Sequence, residues 1–251
     1  MTQHFLRVVF SPGIAPDKWF GRFDQRVDGW AIASAQADDP LRYIDAGAAD
    51  IAIVRLGVPA GETGGVGDLG RRHKVHLYDE QIGIAAPKDH PIKMEKSVQW
   101  SEVGDETIIY STPSDGDVAV SAVREALQVV AANVGVALVP RPLLRGINQP
   151  GVVHRDVHGV PDSVGRTAVE LAWLKDRDDE VIQDFVGICR GRKEGSSRHS
   201  SPQKAGASRG GGKNVGVNAR SAQRKEGGKG ARRAKGARGV QRGERGRSGR
   251  R

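Results

Sequence analysis

The chain has 251 residues and a formal net charge of +9, but that charge is distributed very unevenly. Residues 1–189 hold 19 Lys and Arg against 27 Asp and Glu, a formal −8, whereas residues 190–251 hold 20 against 3, a formal +17. The single cysteine, Cys189, excludes an internal disulfide, and no apolar run approaches the roughly 20 residues of a membrane-spanning helix. Because no signal-peptide pattern is present either, we expect a cytoplasmic protein without membrane association.

The basic segment, residues 191–251, differs from the rest in composition as well as in charge. It contains no Trp, Tyr, Phe, Leu or Ile, and Gly, Lys, Arg, Ser and Ala dominate it. Such a chain cannot offset its ordering entropy by burying apolar surface, so we predict a disordered tail. Residues 1–190 are long enough to bury a core, either as one α/β domain or as two small lobes.

The first part of the acidic body alternates apolar runs with amphipathic ones. The pattern predicts, in order, strand, helix, strand, helix and strand: Phe5–Phe10, Pro16–Phe23, Trp30–Ala37, Pro40–Ala46 and Asp50–Val54. Three strands that alternate with two helices imply a parallel sheet with right-handed crossovers. A glycine-rich loop, Gly57–Gly70, is predicted next, and then extended chain over Val75–Ala86 with an interruption at 79–81.

The second part of the body repeats this alternation. Thr107–Tyr110 is a predicted strand, and a helix is predicted to begin at Ser114, with Asp117 completing a capping box. The apolar face of this helix is predicted to consist of Val120, Val123, Leu127 and Val130. Three strands are predicted after it, at Val134–Val139, Val152–Val157 and Ala168–Leu174. A final amphipathic helix is predicted with an apolar face of Val181, Ile182, Phe185 and Ile188.

Three stretches carry a family resemblance when they are taken together. The first runs from Asp45 to Arg55 and ends in Asp-Ile-Ala-Ile-Val-Arg, the second is Pro-Lys-Asp-His-Pro-Ile at Pro87–Ile92, and the third is Asn-Val-Gly-Val-Ala-Leu-Val-Pro at Asn133–Pro140. In this order and at these distances they resemble the effector-binding domain of LysR-type transcriptional regulators, over nearly all of residues 4–190. The second and third stretches are fairly specific as a pair, whereas either alone is a weak signal.

The resemblance implies an α/β fold with two lobes, like that of the type 2 periplasmic binding proteins. Lobe one would combine residues of about 1–86 and 156–190, lobe two would span about 87–155, and two extended crossovers would join them. A small-molecule cleft is expected between the lobes, which is also where open α/β sheets bind ligands. Family members pair their lobes side by side, so the resemblance also implies a homodimer.

A LysR-type regulator carries a winged helix-turn-helix and a linker helix ahead of its effector domain. This sequence begins at the first strand of the effector domain. We therefore expect the resemblance to extend to the receptor half, and not to sequence-specific DNA reading.

Two turns are the first candidates for contact with an effector. Ser11, Gly13 and Ile14 lie between the first strand and first helix, where backbone N–H groups and a hydroxyl can hold a carboxylate. Thr112 and Ser114 occupy the equivalent turn of lobe two and would offer hydroxyl donors. The alternatives are an ordinary strand–helix turn in lobe one and helix capping by Ser114 in lobe two.

Three further candidates lie on or beside predicted strands. Arg55 ends the third strand, where a cation can pair bidentately with an acidic effector; it can equally lie in an exposed loop or pair with a carboxylate of the body. Asn133 and Gly135, at the start of the lobe-two strand, are expected to line the cleft or a crossing between the lobes. The alternative for Gly135 is close packing.

Other motifs predict little chemistry. Gly65–Gly70 fits Gly-x-Gly-x-x-Gly, but no helix is predicted after it, so a flexible loop is favoured over nucleotide binding. The pairs His73/His76 and His154/His158 lack cysteine partners or a clear helix, so no metal site is predicted. Cys189 is interpreted as a packing residue. No catalytic constellation or cofactor motif is visible, which favours a binding protein over an enzyme.

Two hypotheses of different kinds follow. The first is a protein that binds a small, anionic effector and is linked to transcription regulation through a partner or through the tail. The second is a non-specific nucleic-acid-associated protein whose body is a dimerising scaffold. In the second, Lys and Arg of the tail contact phosphates, represented by Arg232, Arg233, Lys235 and Arg238. A solubilising extension is the alternative for that segment.

Overall fold

The computed structural model describes residues 3–58 and 66–191. The strands are β1 (His4–Phe10), β2 (Trp30–Gln36), β3 (Ile51–Gly57), β4 (Val66–Leu69), β5 (Arg72–Asp79), β6 (Ile82–Pro87), β7 (Ser97–Gln99), β8 (Ile108–Ser111), β9 (Val136–Pro140), β10 (Val152–His158) and β11 (Thr167–Leu174). The helices are α1 (Asp17–Arg26), α2 (Pro40–Asp45), α3 (Trp100–Val103), α4 (Val120–Ala131), α5 (Arg141–Ile147) and α6 (Glu180–Cys189), with short 3-10 helices at Pro91–Met94 and Lys175–Arg177.

The first sheet has the strand order β2-β1-β3-β11-β5-β4. Strand β1 lies between β2 and β3 and is parallel to both, which confirms the parallel arrangement predicted from the alternating strands and helices. Strand β11 returns antiparallel between β3 and β5. The carboxyl ends of β1, β2 and β3 therefore lie at the same edge of this sheet.

The second sheet has the order β7-β10-β6-β9-β8. Strands β6 and β10 pair with each other within it, and β8 runs parallel to β9. The lobe boundaries expected from the sequence assigned residues 1–86 and 156–190 to lobe one. These boundaries put β6 in the wrong sheet and divide β10 between the lobes. Below, lobe one means the first sheet with its helices, lobe two means the second sheet with its helices, and residues 80–81 and 159–166 are the crossovers.

Apolar side chains fill both faces of each sheet. Helices α1 and α6 cover one face of the first sheet, where the rings of Phe23 and Phe185 meet edge to face with centroids 5.8 Å apart. The apolar face predicted for the last helix is confirmed, because Val181, Ile182, Phe185 and Ile188 are all buried. In lobe two, successive residues of β9 alternate between two cores, as expected of a strand buried on both faces.

Two local predictions are wrong. Ser114 does not begin a helix, because Pro113–Gly116 form a turn closed by the Gly116 N–H to the Pro113 carbonyl at 2.7 Å, and α4 begins only at Val120. The stretch expected to continue as a loop to Gly70 contains β4, which forms a hairpin with β5. Gly70 has φ +61° in that hairpin turn, a conformation that glycine adopts at low cost.

The predicted tail and its four candidate residues, Arg232, Arg233, Lys235 and Arg238, lie outside the described residues. The division of the chain at residue 190 stays a prediction for the same reason.

Candidate functional site between the lobes

The two predicted effector turns follow the carboxyl ends of strands in different lobes. Ser11 comes directly after β1 of lobe one, and Thr112 comes directly after β8 of lobe two. Both residues are buried, with 3% and 1% of their surface exposed. The sequence therefore placed both turns correctly on the fold, although their roles in binding stay a prediction.

Ser11 is held by the neighbouring strand of its own sheet. Its backbone N–H donates to the Ile53 carbonyl at 2.9 Å, and its Oγ accepts a long hydrogen bond of 3.4 Å from the Arg55 backbone N–H. Because Oγ accepts in this contact, its own proton is available to a further acceptor. Gly13 follows with φ +83°, and Ile14 is buried.

Arg55 forms an ion pair inside lobe one. Its Nε and Nη2 donate to the two carboxylate oxygens of Glu80 at 2.5 and 2.8 Å, and the two side chains are 3% and 0% exposed. Nη2 also donates to the Pro12 carbonyl at 3.2 Å, and Thr167 Oγ1 donates to Glu80 at 2.8 Å. The structure therefore shows the alternative for Arg55, a pair with a carboxylate of the body, while its role in effector binding stays a prediction.

The Arg55–Glu80 pair connects a strand to the first crossover. Glu80 belongs to that crossover, and its backbone N–H donates to the Thr167 carbonyl at 2.9 Å. Every carboxylate oxygen of Glu80 has a hydrogen-bond donor, which is the condition under which a buried ion pair is tolerated. The pair therefore fixes the end of β3, the start of β11 and the crossover relative to one another.

The lobe-two turn offers its hydroxyl groups unequally. Thr112 Oγ1 donates to the Leu138 carbonyl at 3.2 Å, so its proton is used within lobe two. Ser114 is exposed and does not cap a helix, since the Asp117 N–H instead bonds to the Asp115 side chain at 2.9 Å. Of the two predicted donors in this turn, Ser114 is the one whose hydroxyl is accessible.

Glycine backbones bring the two lobes into direct contact at α5. A Cβ at Gly13 of lobe one would lie 2.4 Å from the Pro142 carbonyl oxygen, and a Cβ at Gly146 would lie 2.6 Å from the Gly13 Cα. Real Cβ atoms do not approach other atoms so closely, so both positions require glycine in this arrangement. The Ser11–Ile14 turn therefore lies directly against α5.

A second glycine contact joins the lobe-two turn to lobe one and to the second crossover. A Cβ at Gly57, at the end of β3, would lie 1.7 Å from the Asp115 carbonyl oxygen. A Cβ at Gly165 would lie equally close to the Pro113 carbonyl oxygen, at 1.7 Å, and the Gly165 N–H donates to the Thr112 carbonyl at 3.0 Å. Each of the two predicted effector turns is therefore in backbone contact with a segment outside its own lobe, which is a closed arrangement.

One exposed ion pair also spans the two lobes. Arg124 of α4 pairs with Asp38, which follows β2; Nη2 lies 3.0 Å from Oδ1, and Nη1 makes a shorter contact with Oδ2. The two side chains are 41% and 49% exposed, so solvent screening limits the contribution of the pair to stability.

Asn133 and Gly135 are not brought together with the other candidates. They precede β9, whereas the effector turn follows the carboxyl end of the parallel neighbour β8. At ~3.3 Å per residue, the length of β9 separates them from that turn by about 15 Å. Asn133, with φ 64°, lies two residues after the end of α4, and a Cβ at Gly135 would lie 2.2 Å from the Thr107 carbonyl oxygen. The close-packing alternative for Gly135 is the one that the structure shows.

Glu80 and Thr167 are polar residues of this region that the sequence reasoning missed. Glu80 was treated as part of an interruption between two extended runs. An acidic residue between two apolar strands, together with an arginine at the end of a third, is a signal that could have indicated the pair. The partners are 25 residues apart in the chain, so only the pairing of the strands brings them together.

The remaining motifs do not gather into a reactive site. Among the residues that the structure describes, no group of three or more His, Cys, Asp or Glu could hold a metal ion. Burial raises the pKa of the Cys189 thiol, which disfavours the thiolate that a nucleophile requires. Within the described ranges, no helix is long and apolar enough to cross a membrane.

Two α/β lobes joined by two crossovers define a two-lobed fold of the periplasmic-binding-protein type. Among solved structures, this chain is similar to the "BenM effector binding domain with its effector benzoate". The TM-score is 0.54 at 17% identity, and the match covers 76% of this chain and 92% of that one. Full-length BenM gives a TM-score of 0.53 at 17% identity, over 76% of this chain and 67% of that one.

These solved structures are LysR-type regulators, so the chain has the fold of a LysR effector-binding domain, as the sequence resemblance predicted. At 17% identity this likeness shows the fold alone. Neither a protein-family model nor a curated protein matches the sequence.

Proposed function

We propose that the chain binds a small organic anion between its two lobes and links the occupancy of that site to the regulation of transcription, in the cytoplasm. The observation that carries the proposal is that two polar turns, Ser11–Ile14 and Thr112–Ser114, follow the carboxyl ends of strands in different lobes, each in backbone contact with a segment outside its own lobe. The likeness in fold to a domain solved with its effector benzoate supports the same ligand class here.

The proposed contacts follow from the hydrogen bonds already present. The Ser11 hydroxyl proton is available because its oxygen accepts from the Arg55 N–H, and the Ser114 hydroxyl is exposed. Together with the backbone N–H of Gly13, these hydroxyls provide donors for a carboxylate, whereas the Ile14 N–H already donates to the Ser11 carbonyl at 3.3 Å. Arg55 contributes indirectly, because its guanidinium is already paired with Glu80 and holds the carbonyl of Pro12 in that turn.

Ligand entry requires the lobes to separate. Ser11 and Thr112 are 3% and 1% exposed, so a small molecule reaches them only after the glycine contacts at α5 and at Gly57 open. The crossovers at 80–81 and 159–166 are the segments that can act as a hinge. Binding would then shift the balance between open and closed forms by the difference in ligand affinity of the two.

Thermal stability under titration with small carboxylic acids tests this function. We expect benzoate or a related acid to raise the melting temperature in a saturable manner, because a ligand that binds the folded state stabilises it. Ser11→Ala should weaken this shift, whereas Ser34→Ala, which removes an exposed hydroxyl from β2 of the same lobe, should leave it unchanged. A broad set of aromatic and aliphatic acids with no shift would contradict the proposal.

We also propose that the chain forms a homodimer. The exposed edge strands of both sheets support this proposal. Strand β2 is an edge strand without a buried residue, and unpaired edges of this kind are prone to association. In lobe two, Ile108, Val129 and Val134 are exposed by 38%, 40% and 55% near the edge strand β8. Sedimentation of wild type and of Ile32→Asp in β2 tests the pairing; a monomer at micromolar concentration in the wild type would exclude it.

The excess of 20 Lys and Arg over 3 Asp and Glu in residues 190–251 favours a second function, non-specific contact with nucleic acid. Full-length protein would then bind DNA with a steep salt dependence, and a truncation after residue 190 would not. If neither form binds DNA at low salt, this function is excluded, whereas effector binding by the truncated form would be unaffected.

A further inference from the structure

A cavity of about 440 Å³ lies beside the first crossover, apart from Ser11 and Thr112. One wall is Tyr78–Ile82, which carries the chain from β5 of lobe one into β6. The other walls come from lobe two, from α5 and from the end of β10. An occupant would therefore touch both lobes and the crossover at once. The Arg141 N–H already donates to the Gln81 carbonyl across this boundary at 2.7 Å.

Two arginines and three carboxylates line the cavity, a formal −1, but each carboxylate has an arginine partner whereas one of the two arginines has none in the described part of the chain. Arg141 and Arg145 lie one turn apart on α5 and both line it. Arg141 Nε pairs with Asp156 at 2.8 Å, while Arg145 has no ion pair among the described residues. The other two acids of the lining are engaged elsewhere: Asp79 lies 3.5 Å from His76 and 3.8 Å from Arg166, and Glu80 is paired with Arg55.

His154, on β10, lies close to three arginine side chains. Its Nδ1 is in hydrogen-bond contact with Arg141 Nη1. The guanidinium of Arg155, its neighbour on β10, donates to the backbone carbonyls of Lys93, Glu95 and His154. Burial is the largest cause that lowers the pKa of His154, and the positive charges of Arg141, Arg145 and Arg155 lower it further. An added anion would relieve this repulsion.

The remaining walls are apolar. Ile82, Pro142 and Val157 contribute hydrocarbon surface, and Tyr78 contributes an aromatic ring that is partly buried. A cavity of this volume with a few polar groups is of the size that small ligands occupy. The combination suits a molecule with one anionic group and a compact apolar body.

We propose that this cavity is a second ligand site, in which Arg145 and Arg141 bind the acidic group of a small organic anion and Ile82, Pro142 and Val157 contact its apolar part. The cavity has no lining residue in common with the proposed effector turns, although α5 lines the cavity and also contacts the turn at Gly13. Because its walls belong to both lobes and to the first crossover, an occupant stabilises the closed arrangement of the lobes.

Phenyl phosphate and benzoate, titrated into the full-length chain, are the probes for this site. The readouts are calorimetry and the titration of the assigned His154 ring nitrogens by NMR. We expect saturable binding accompanied by a rise in the pKa of His154, since a bound anion offsets the field of the three arginines.

Arg145→Gln removes the unpaired cation and should weaken binding by roughly ten- to a hundredfold, the range for a charge-assisted hydrogen bond. Arg145→Lys should retain part of the affinity. Arg22→Gln is the matched control, because it removes an exposed arginine of α1 and changes the net charge by the same amount. This variant should bind like wild type.

Ser11→Ala separates this site from the proposed effector site, since it should leave the His154 response intact. The proposal is overturned if neither probe moves the His154 resonances in a saturable manner, or if Arg145→Gln binds as well as Arg22→Gln. Loss of the His154 response in Ser11→Ala would also overturn it, because the binding would then belong to the effector turns.

Discussion

Two of the arginine–carboxylate pairs that lie beside the crossovers differ in their surroundings. Arg55 and Glu80 are 3% and 0% exposed, and both carboxylate oxygens of Glu80 accept hydrogen bonds. Arg141 and Asp156 are 12% and 40% exposed and stand among further arginines and a histidine. The same residue types therefore form a structural clamp in one place and a surface able to receive an anion in the other. The difference arises from the balance of charge around each pair.

Removing Glu80 should produce the largest change. Glu80→Ala leaves the Arg55 guanidinium buried without a counter-charge, so we expect a loss of about 3–5 kcal/mol in the free energy of unfolding. Urea denaturation measures this loss. Asp156→Ala is the comparison in the exposed pair, and it should cost about 1 kcal/mol or less.

The double variant Arg55→Met with Glu80→Leu refines the same comparison. It removes both charges together, so it should be more stable than Glu80→Ala alone. Equal losses for Glu80→Ala and Asp156→Ala would show that burial does not distinguish the two pairs.

Substitution at the glycine contact between the lobes should have the next largest effect. Gly57→Ala places a Cβ where the Asp115 carbonyl oxygen lies, so we expect a loss of about 1–3 kcal/mol and a larger radius of gyration as the lobes separate. Small-angle scattering and urea denaturation measure the two effects. Gly21→Ala in α1 meets nothing within 4 Å and should instead be stabilising by up to about 1 kcal/mol.

The pH dependence of stability should reveal His154 in the exposed cluster. Its pKa is lowered in the folded protein, so as the pH falls through about 6.5 the unfolded chain takes up a proton first and stability decreases. His154→Gln should show a smaller decrease between pH 8 and pH 5 in parallel denaturation curves. An identical decrease in both proteins would mean that other groups are responsible.

The ion pair between Asp38 and Arg124 should have the smallest effect. Both side chains are over 40% exposed, so a double-mutant cycle should give a coupling of about 1 kcal/mol or less, decreasing with added salt. A coupling well above this value would mean that the pair, and not the glycine contacts, holds the lobes together.

The strands were predictable because their signal is local. Ile51–Val54 and Val136–Val139 are continuous apolar runs, and both are strands buried on both faces. The positions of Ser11 and Thr112 followed from the same signal, because each directly follows such a run. The fold class followed from the order of the elements together with the family resemblance.

The errors concern information that the local sequence does not contain. Ser114 resembled a helix cap, but Gly116 at φ +72° continues a turn that is held against Gly57 and Arg166 of the rest of the chain. The partner of Arg55 was not predictable, because Glu80 is supplied by a crossover 25 residues later. Strand β6 was placed in lobe one because its pairing with β9 and β10 depends on residues more than 50 positions away.

The hydrogen bonds of Glu80 make the first crossover more rigid than the second. The first consists of two residues, 80–81, and one of them is bonded through its side chain and backbone to Arg55 and Thr167. The second spans 159–166 and exposes Gly159, Pro161, Asp162 and Ser163 to solvent. Limited proteolysis should therefore cut the second and spare the first. The motion that admits a ligand would then be a rotation of one lobe about a nearly fixed axis at Glu80. The longer crossover would change its backbone conformation to allow this rotation.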